Sequence, residues 1–95
     1  MPRHADVSVE PGQWTELTSA NLVGGIRVTN LGSYTVELQR SGTTAPTSRE
    51  GALPLLPNAT LPADRAVDDI WPGATGARIW AYVEANGSRV SVSHA

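Results

Sequence analysis

The chain contains no cysteine, no phenylalanine and no lysine. Without cysteine, disulfide-stapled scaffolds and thiolate metal sites are both excluded. Nine acidic and seven basic residues give a formal net charge of −2, and this mild balance argues against a nucleic-acid-binding protein, which usually carries a basic patch. Long apolar runs are also missing, so the sequence predicts no membrane-spanning segment.

The 95 residues are enough for one small domain, which we place over residues 1–95. A chain of this length buries roughly 60–65% of its unfolded surface, so it can build one core and not two. Because no disulfide can support that core, stability must come from hydrophobic burial or from oligomerisation.

The clearest pattern is an alternation of apolar and polar residues between residues 26 and 39. Side chains on a strand point alternately to opposite faces, so the apolar members should share one core-facing side. The side chains expected on the core face are Ile26, Val28, Tyr34, Val36 and Leu38. The Asn-Leu-Gly-Ser stretch between the two halves indicates a turn, and the whole segment predicts a β-hairpin laid over the core.

Further strands are predicted before this segment. Residues 6–10 form a strand with Val7 and Val9 inward, and Pro11-Gly12 ends it with a turn. Residues 13–18 place Trp14 on one face, but Leu17 breaks strict alternation, so this segment is short, bulged or turning. We expect the Trp14 side chain to fill the core.

The C-terminal part, residues 77–84 and 88–93, is predicted to be a second hairpin around an Asn-Gly turn. Its first strand is apolar on both faces, with Ile79 on one face and Trp80 and Tyr82 on the other. Either this strand is buried on both sides, or its aromatic side meets something outside the domain.

The middle of the chain departs from this rhythm. Residues 41–51 contain no hydrophobe larger than alanine and predict a long loop, of a kind that is often functional. The prolines in residues 52–57 confine that segment to a sheet edge or to extended coil, and residues 58–62 are expected to pair briefly. Residues 63–71 fit either a short helical turn or an irregular loop.

These segments together predict an all-β fold. The turn signals recur about every eight to twelve residues, which is typical of a small antiparallel β-sandwich, or a barrel-like variant, of about six to eight short strands.

Catalytic constellations do not stand out. His4 and His94 lie near the ends of the sequence, where we expect little order, and a nucleophilic triad needs a histidine oriented by a carboxylate beside a serine or cysteine. A metal site would need three or four close ligands, and the adjacent acidic residues supply at most two. We therefore expect no enzymatic activity, no metal and no cofactor.

Three parts of the sequence supply hydrophobic candidates for an interface. They are the strand that contains Trp80 and Tyr82, the proline-rich residues 52–57 and the residue just before Pro72-Gly73. Tryptophan and tyrosine are enriched at protein interfaces and suit sugar-stacking platforms, although they also complete cores. The interface candidates are Trp71, Ile79, Trp80, Tyr82, Leu53 and Leu55.

A resemblance to a known family rests on four segments: residues 9–18 (VEPGQWTELT), 28–33 (VTNLGS), 77–81 (ARIWA) and 89–93 (RVSVS). In these segments the chain resembles small virion proteins encoded in the structural gene clusters of tailed bacteriophages, prophages and gene transfer agents. The resemblance implies an all-β protein without enzymatic residues.

The resemblance also implies a role in assembly. The expected function is a structural component of a phage-like particle, made in the bacterial cytoplasm and located in the virion: a head-surface decoration, the base of a head spike or fibre, or a tail adaptor. Its partners would be capsid, fibre, portal or tail proteins and further copies of itself, because closed symmetric assemblies bury edge strands. Neither nucleic acid nor a membrane is an expected partner.

The alternative is a glycan-binding or adhesive β-sandwich module. In that case Trp71, Trp80 or Tyr82 would supply the stacking platform for a sugar ring.

Overall fold

The computed structural model describes residues 3–22, 25–62, 70–71, 76–84 and 86–94. Within these residues the chain forms eight β-strands, and all of the pairings between strands are antiparallel. The strands are β1 (Arg3–Val9), β2 (Trp14–Glu16), β3 (Ile26–Asn30), β4 (Val36–Ser41), β5 (Leu53–Leu55), β6 (Thr60–Leu61), β7 (Arg78–Tyr82) and β8 (Ser88–His94).

The strands form two four-stranded sheets. Sheet 1 has the order β1-β8-β3-β6, and sheet 2 has the order β2-β7-β4-β5. The core lies between them and receives alternate side chains from the central strands of both sheets. Its members from these strands are Ile26, Val28, Val36, Leu38, Ile79, Ala81, Val90 and Val92. The predicted all-β fold is confirmed, and the two layers fit a small β-sandwich.

Both predicted hairpins are wrong. Strands β3 and β4 lie in different sheets, and so do β7 and β8. The residues that separate them carry the chain from one layer to the other. The alternation within each strand correctly indicated which side chains face the core, but in a sandwich both sheets face the same core, so the pattern does not say which sheet a strand joins.

The crossing from β3 to β4 is held by Asn30, which is fully buried. Its Nδ2 donates to the carbonyl oxygens of Tyr34 at 2.7 Å and Leu55 at 2.9 Å. Its Oδ1 accepts from the Gly32 N–H at 2.9 Å and from the Ser88 hydroxyl at 3.1 Å. The amide therefore uses its full hydrogen-bonding capacity, and it ties the crossing segment to β5 of sheet 2 and to β8 of sheet 1.

Gly32 is required beside this asparagine because Ser88 approaches it closely. A Cβ at residue 32 would lie 2.1 Å from Ser88 Oγ and 3.1 Å from Ser88 Cβ. Any larger residue would push away the hydroxyl that donates to Asn30.

Tyr34 does not lie on the core face, contrary to the prediction. Its side chain is 50% exposed, and it precedes the first residue of β4, Val36. The strand alternation does not apply to Tyr34 because the chain is still crossing between the sheets at that point.

The middle of the chain matches the prediction where it is described. Strand β5 is an edge strand that contains Pro54, and β6 pairs over two residues with β3. Of the segment predicted as a helical turn or loop, residues 63–71, only Ile70 and Trp71 are among the described residues, and the Trp71 side chain is buried.

The expectation of little order at the histidines is wrong. His4 and His94 belong to β1 and β8, which pair with each other over seven residues. His94 is buried, and its Nε2 accepts a hydrogen bond from the Ser19 N–H at 3.2 Å. Long pairing within sheet 1 orders both strands.

Replacing Asn30 by alanine leaves two carbonyls, one N–H and one hydroxyl without their partner. Each buried polar group left unpaired costs roughly 1–3 kcal/mol, so we expect Asn30→Ala to lower the free energy of unfolding by about 3 kcal/mol or more. Urea unfolding followed by tryptophan fluorescence measures this. Asn86→Ala, at an exposed asparagine in the other crossing, should change stability by less than about 0.5 kcal/mol. Equal effects at the two sites would contradict the role of Asn30.

Candidate functional site

The two outer faces of the sandwich differ in chemistry. Among the described residues of sheet 1, the outward positions are polar throughout: His4, Asp6, Ser8, Arg27, Thr29, Thr60, Arg89, Ser91 and Ser93. Sheet 2 instead places three aromatic side chains on its outer face, Trp14, Trp80 and Tyr82, next to each other across β2 and β7. A solvated sheet face is normally polar, so sheet 2 is the face that requires an explanation.

Trp14 and Tyr82 are paired in register across β2 and β7. Their ring centroids are 5.3 Å apart with an interplanar angle of 53°, which is a tilted arrangement within the favourable range for aromatic pairs. Trp14 therefore faces outward and does not fill the core as predicted. Leu17, just after β2, is the fully buried residue of this segment.

Arg49 lies over the Tyr82 ring, with its guanidinium carbon 4.5 Å from the ring centroid. Its Nε donates to Glu37 Oε2 at 2.9 Å, and a second guanidinium nitrogen donates to the same oxygen. Glu84 lies 3.8 Å from a third guanidinium nitrogen. The hydrogen bond with Glu37 raises the pKa of Arg49 above its usual value. We call the set Trp14, Trp80, Tyr82, Glu37 and Arg49 the aromatic face.

The long loop after β4 folds back onto this face. Trp80 Nε1 donates to the Gly42 carbonyl at 3.0 Å, and Gln39 Nε2 donates to the Glu50 carbonyl at 2.9 Å. Together with Arg49, these contacts fasten both ends of the loop to β4 and β7. Strand β7 is thus fully buried on its inner side and half-covered on its outer side by its own chain.

The six interface candidates separate into two groups. Ile79, Leu55 and Trp71 are 0%, 5% and 6% exposed and belong to the core, and Leu53 packs half-buried against it. Trp80 and Tyr82 are half-buried on the aromatic face. A partner can therefore reach Trp80 and Tyr82. It can also reach Trp14 and Arg49, which were not among the interface candidates predicted from the sequence. The break in alternation at Leu17 was a signal for Trp14, but Arg49 in its loop gave none.

An open groove of about 510 Å³ lies at one end of the sandwich. Tyr34 forms part of its wall, together with Ser33 from the same crossing, Glu10 after β1 and Arg89 on β8. The sequence does not predict this second surface, because the alternation of residues 26–39 predicts that Tyr34 faces the core.

A histidine–serine pair occurs on the outer face of sheet 1. His4 Nδ1 lies 2.7 Å from Ser93 Oγ, which resembles two members of a nucleophilic triad. The two residues are direct cross-strand partners between β1 and β8, and the pair is exposed on an open sheet face. Cross-strand pairing explains the contact without a catalytic role.

Within the described residues, no three His, Asp or Glu side chains gather closely enough to hold a metal ion. The part of the chain that the structure describes contains no helix long and apolar enough to span a bilayer. Comparison with known proteins finds no matching family model, no matching curated protein and no matching solved structure.

Arg49→Ala removes the contact with Tyr82 and both carboxylate contacts. We expect the amides of residues 43–51 to exchange with deuterium severalfold faster, while global stability changes little because exposed ion pairs contribute little. Hydrogen–deuterium exchange with mass spectrometry measures both quantities. Arg27→Ala is the matched control, since Arg27 is an exposed arginine that contacts Ser91 on sheet 1. If loop exchange stayed the same in both variants, Arg49 would not be holding the loop.

Proposed function

We propose that the protein is a non-enzymatic structural component of a phage-like particle, and that its aromatic face binds another virion protein. The observation that carries the proposal is the aromatic face itself, where Trp14 and Tyr82 pair beside Arg49 on an outer sheet surface. Tryptophan, tyrosine and arginine are the side chains that dominate the centres of protein interfaces. The resemblance to small virion proteins supplies the kind of partner.

The geometry suits a docking surface in two further ways. Arg49 is already held by Glu37 and Tyr82, so less side-chain entropy is lost when a partner binds. Around the rings lie charged groups, including the ion pair of Arg78 and Glu16 at 2.7 Å. An aromatic centre with a charged rim is the usual composition of a protein interface.

The partner defines the position in the particle. Binding to a capsid protein would indicate a head-surface decoration, binding to a fibre protein the base of a head spike or fibre, and binding to a portal or tail protein an adaptor. All three roles use the same surface, so the same variants test each of them.

The chain has two tyrosines, and they form a matched pair of probes. We expect the protein to co-purify with a capsid, fibre, portal or tail protein encoded beside its own gene. We expect Tyr82→Ser to weaken that binding by roughly thirtyfold, as loss of an interface hot spot does. Tyr34→Ser, away from the aromatic face, should bind normally.

The measurement is co-expression followed by titration calorimetry on the purified pair, with thermal unfolding of each variant as the folding control. Absence of binding to every particle protein encoded nearby would contradict the proposal. An equal loss of binding affinity in both tyrosine variants would show that the aromatic face is not the binding surface.

A second candidate function is glycan binding, and the groove at Tyr34 is the observation that favours it. Half of the Tyr34 side chain is exposed beside this open groove, where a sugar ring can stack on the flat side of the phenol ring. Glu10 and Arg89 at the groove supply hydrogen-bonding groups. This platform is not one of the three residues expected from the sequence: Trp71 is buried, and Trp80 and Tyr82 are half-buried on the aromatic face.

Oligosaccharides from bacterial surface polysaccharides provide the test of this candidate. We expect chemical-shift changes in the Tyr34 ring on titration, and loss of binding in Tyr34→Ala with normal binding in Tyr82→Ala. Nuclear magnetic resonance titration measures this directly. If no oligosaccharide shifts the Tyr34 signals in a saturable way, the groove is not a glycan site.

A further inference from the structure

Among the described strands, β1 forms one edge of sheet 1. It is seven residues long and pairs on one side with β8, and no other described strand pairs with it. The remaining edge strands are short, at three residues for β2 and β5 and two for β6, and β5 contains Pro54. β1 contains neither proline nor glycine. Long unblocked edges are templates for a further strand, so proteins normally cover or interrupt them.

The direction of the free backbone groups follows from the pairing inside sheet 1. The Leu31 N–H donates to the Arg89 carbonyl at 2.8 Å, so the Arg89 carbonyl faces β3. Backbone groups alternate in direction along a strand, and those of Val90 therefore face β1, where Val90 is opposite Val7. The residues of β1 whose N–H and C=O groups face away from β8 are consequently His4, Asp6 and Ser8.

We propose that a second copy of the chain covers this edge, by antiparallel pairing of β1 with the β1 of its partner about a two-fold axis at Ala5. In this register His4 of each copy lies opposite Asp6 of the other. Both residues direct their free backbone groups toward the partner, which provides about four main-chain hydrogen bonds. Sheet 1 then continues into the same sheet of the partner.

Side chains favour this register over those with the axis moved to Asp6 or Val7. An axis at Asp6 would set the two Asp6 carboxylates directly opposite each other, and like charges in that position destabilise a sheet. An axis at Val7 would set Asp6 opposite Ser8 and lose the imidazole–carboxylate pair. An axis at Ala5 gives two imidazole–carboxylate pairs on the exposed outer face of the sheet.

The pairing is independent of the function proposed above. It uses the edge of sheet 1, whereas the aromatic face belongs to sheet 2. The dimer therefore leaves both aromatic faces available to particle proteins. A native chain that binds a particle protein but does not self-associate would overturn this inference and leave the proposed function standing.

Single cysteines test the register cleanly because the chain has none of its own. Ala5→Cys sets two thiols against each other in a non-hydrogen-bonded pair, where Cα atoms are about 4.5 Å apart, within the range for a disulfide. We expect a covalent dimer from Ala5→Cys under mild oxidation and no covalent dimer from Ser91→Cys, because residue 91 lies on central strand β8. A covalent dimer from Val7→Cys but not from Ala5→Cys would overturn the proposal.

A charge swap tests the pairing without a crosslink. Sedimentation equilibrium over a wide concentration range should show a reversible dimer for the native chain. We expect His4→Asp to weaken it by at least about tenfold, because like charges then oppose each other twice. The double variant His4→Asp/Asp6→His should restore the native affinity. A native chain that is monomeric at every concentration, or a double variant that fails to recover while remaining folded by circular dichroism, would overturn the proposal.

Discussion

The buried amide of Asn30 is the contact on which the rest of this sandwich depends. Through the Leu55 carbonyl it fixes β5, and Leu55 lies opposite Val36 in β4. That register sets the next residue, Glu37, on the outer face and opposite Tyr82. Glu37 then receives Arg49, which lies over the Tyr82 ring. The core contact that joins the sheets therefore also positions the charged part of the aromatic face.

The fold separates two kinds of surface. Sheet 1 has a polar outer face and one long open edge, whereas sheet 2 has short edges and an aromatic outer face. A small domain without cysteine gains stability from every interface it adds. The proposed pairing at the edge of sheet 1 and the proposed docking at the aromatic face can occur at the same time, as a repeated component of a symmetric assembly requires.

Local patterns in the sequence predicted the features that local geometry decides. The period of two correctly assigned Val28 and Val36 to the core. The prolines predicted a sheet edge or extended coil for residues 52–57, and β5 within that segment is an edge strand. The pairing of strands could not be predicted in this way, because Asn30 in a turn-like sequence looks like a turn residue until Leu55 and Ser88 meet it in space. The alternation within one strand was enough to predict that Trp80 and Tyr82 share an outer face. The contact between Arg49 and Tyr82 could not be predicted, because it forms only in the folded structure.

The central claim is that the aromatic face meets another protein in a particle. An electron cryomicroscopy reconstruction of the phage-like particle that is proposed to contain this chain tests it most directly. The account predicts Trp14, Tyr82 and Arg49 buried against a neighbouring virion protein, with the outer face of sheet 1 toward solvent. A particle in which the aromatic face is open to solvent and sheet 1 makes the contacts, or particles that lack the protein altogether, would contradict it.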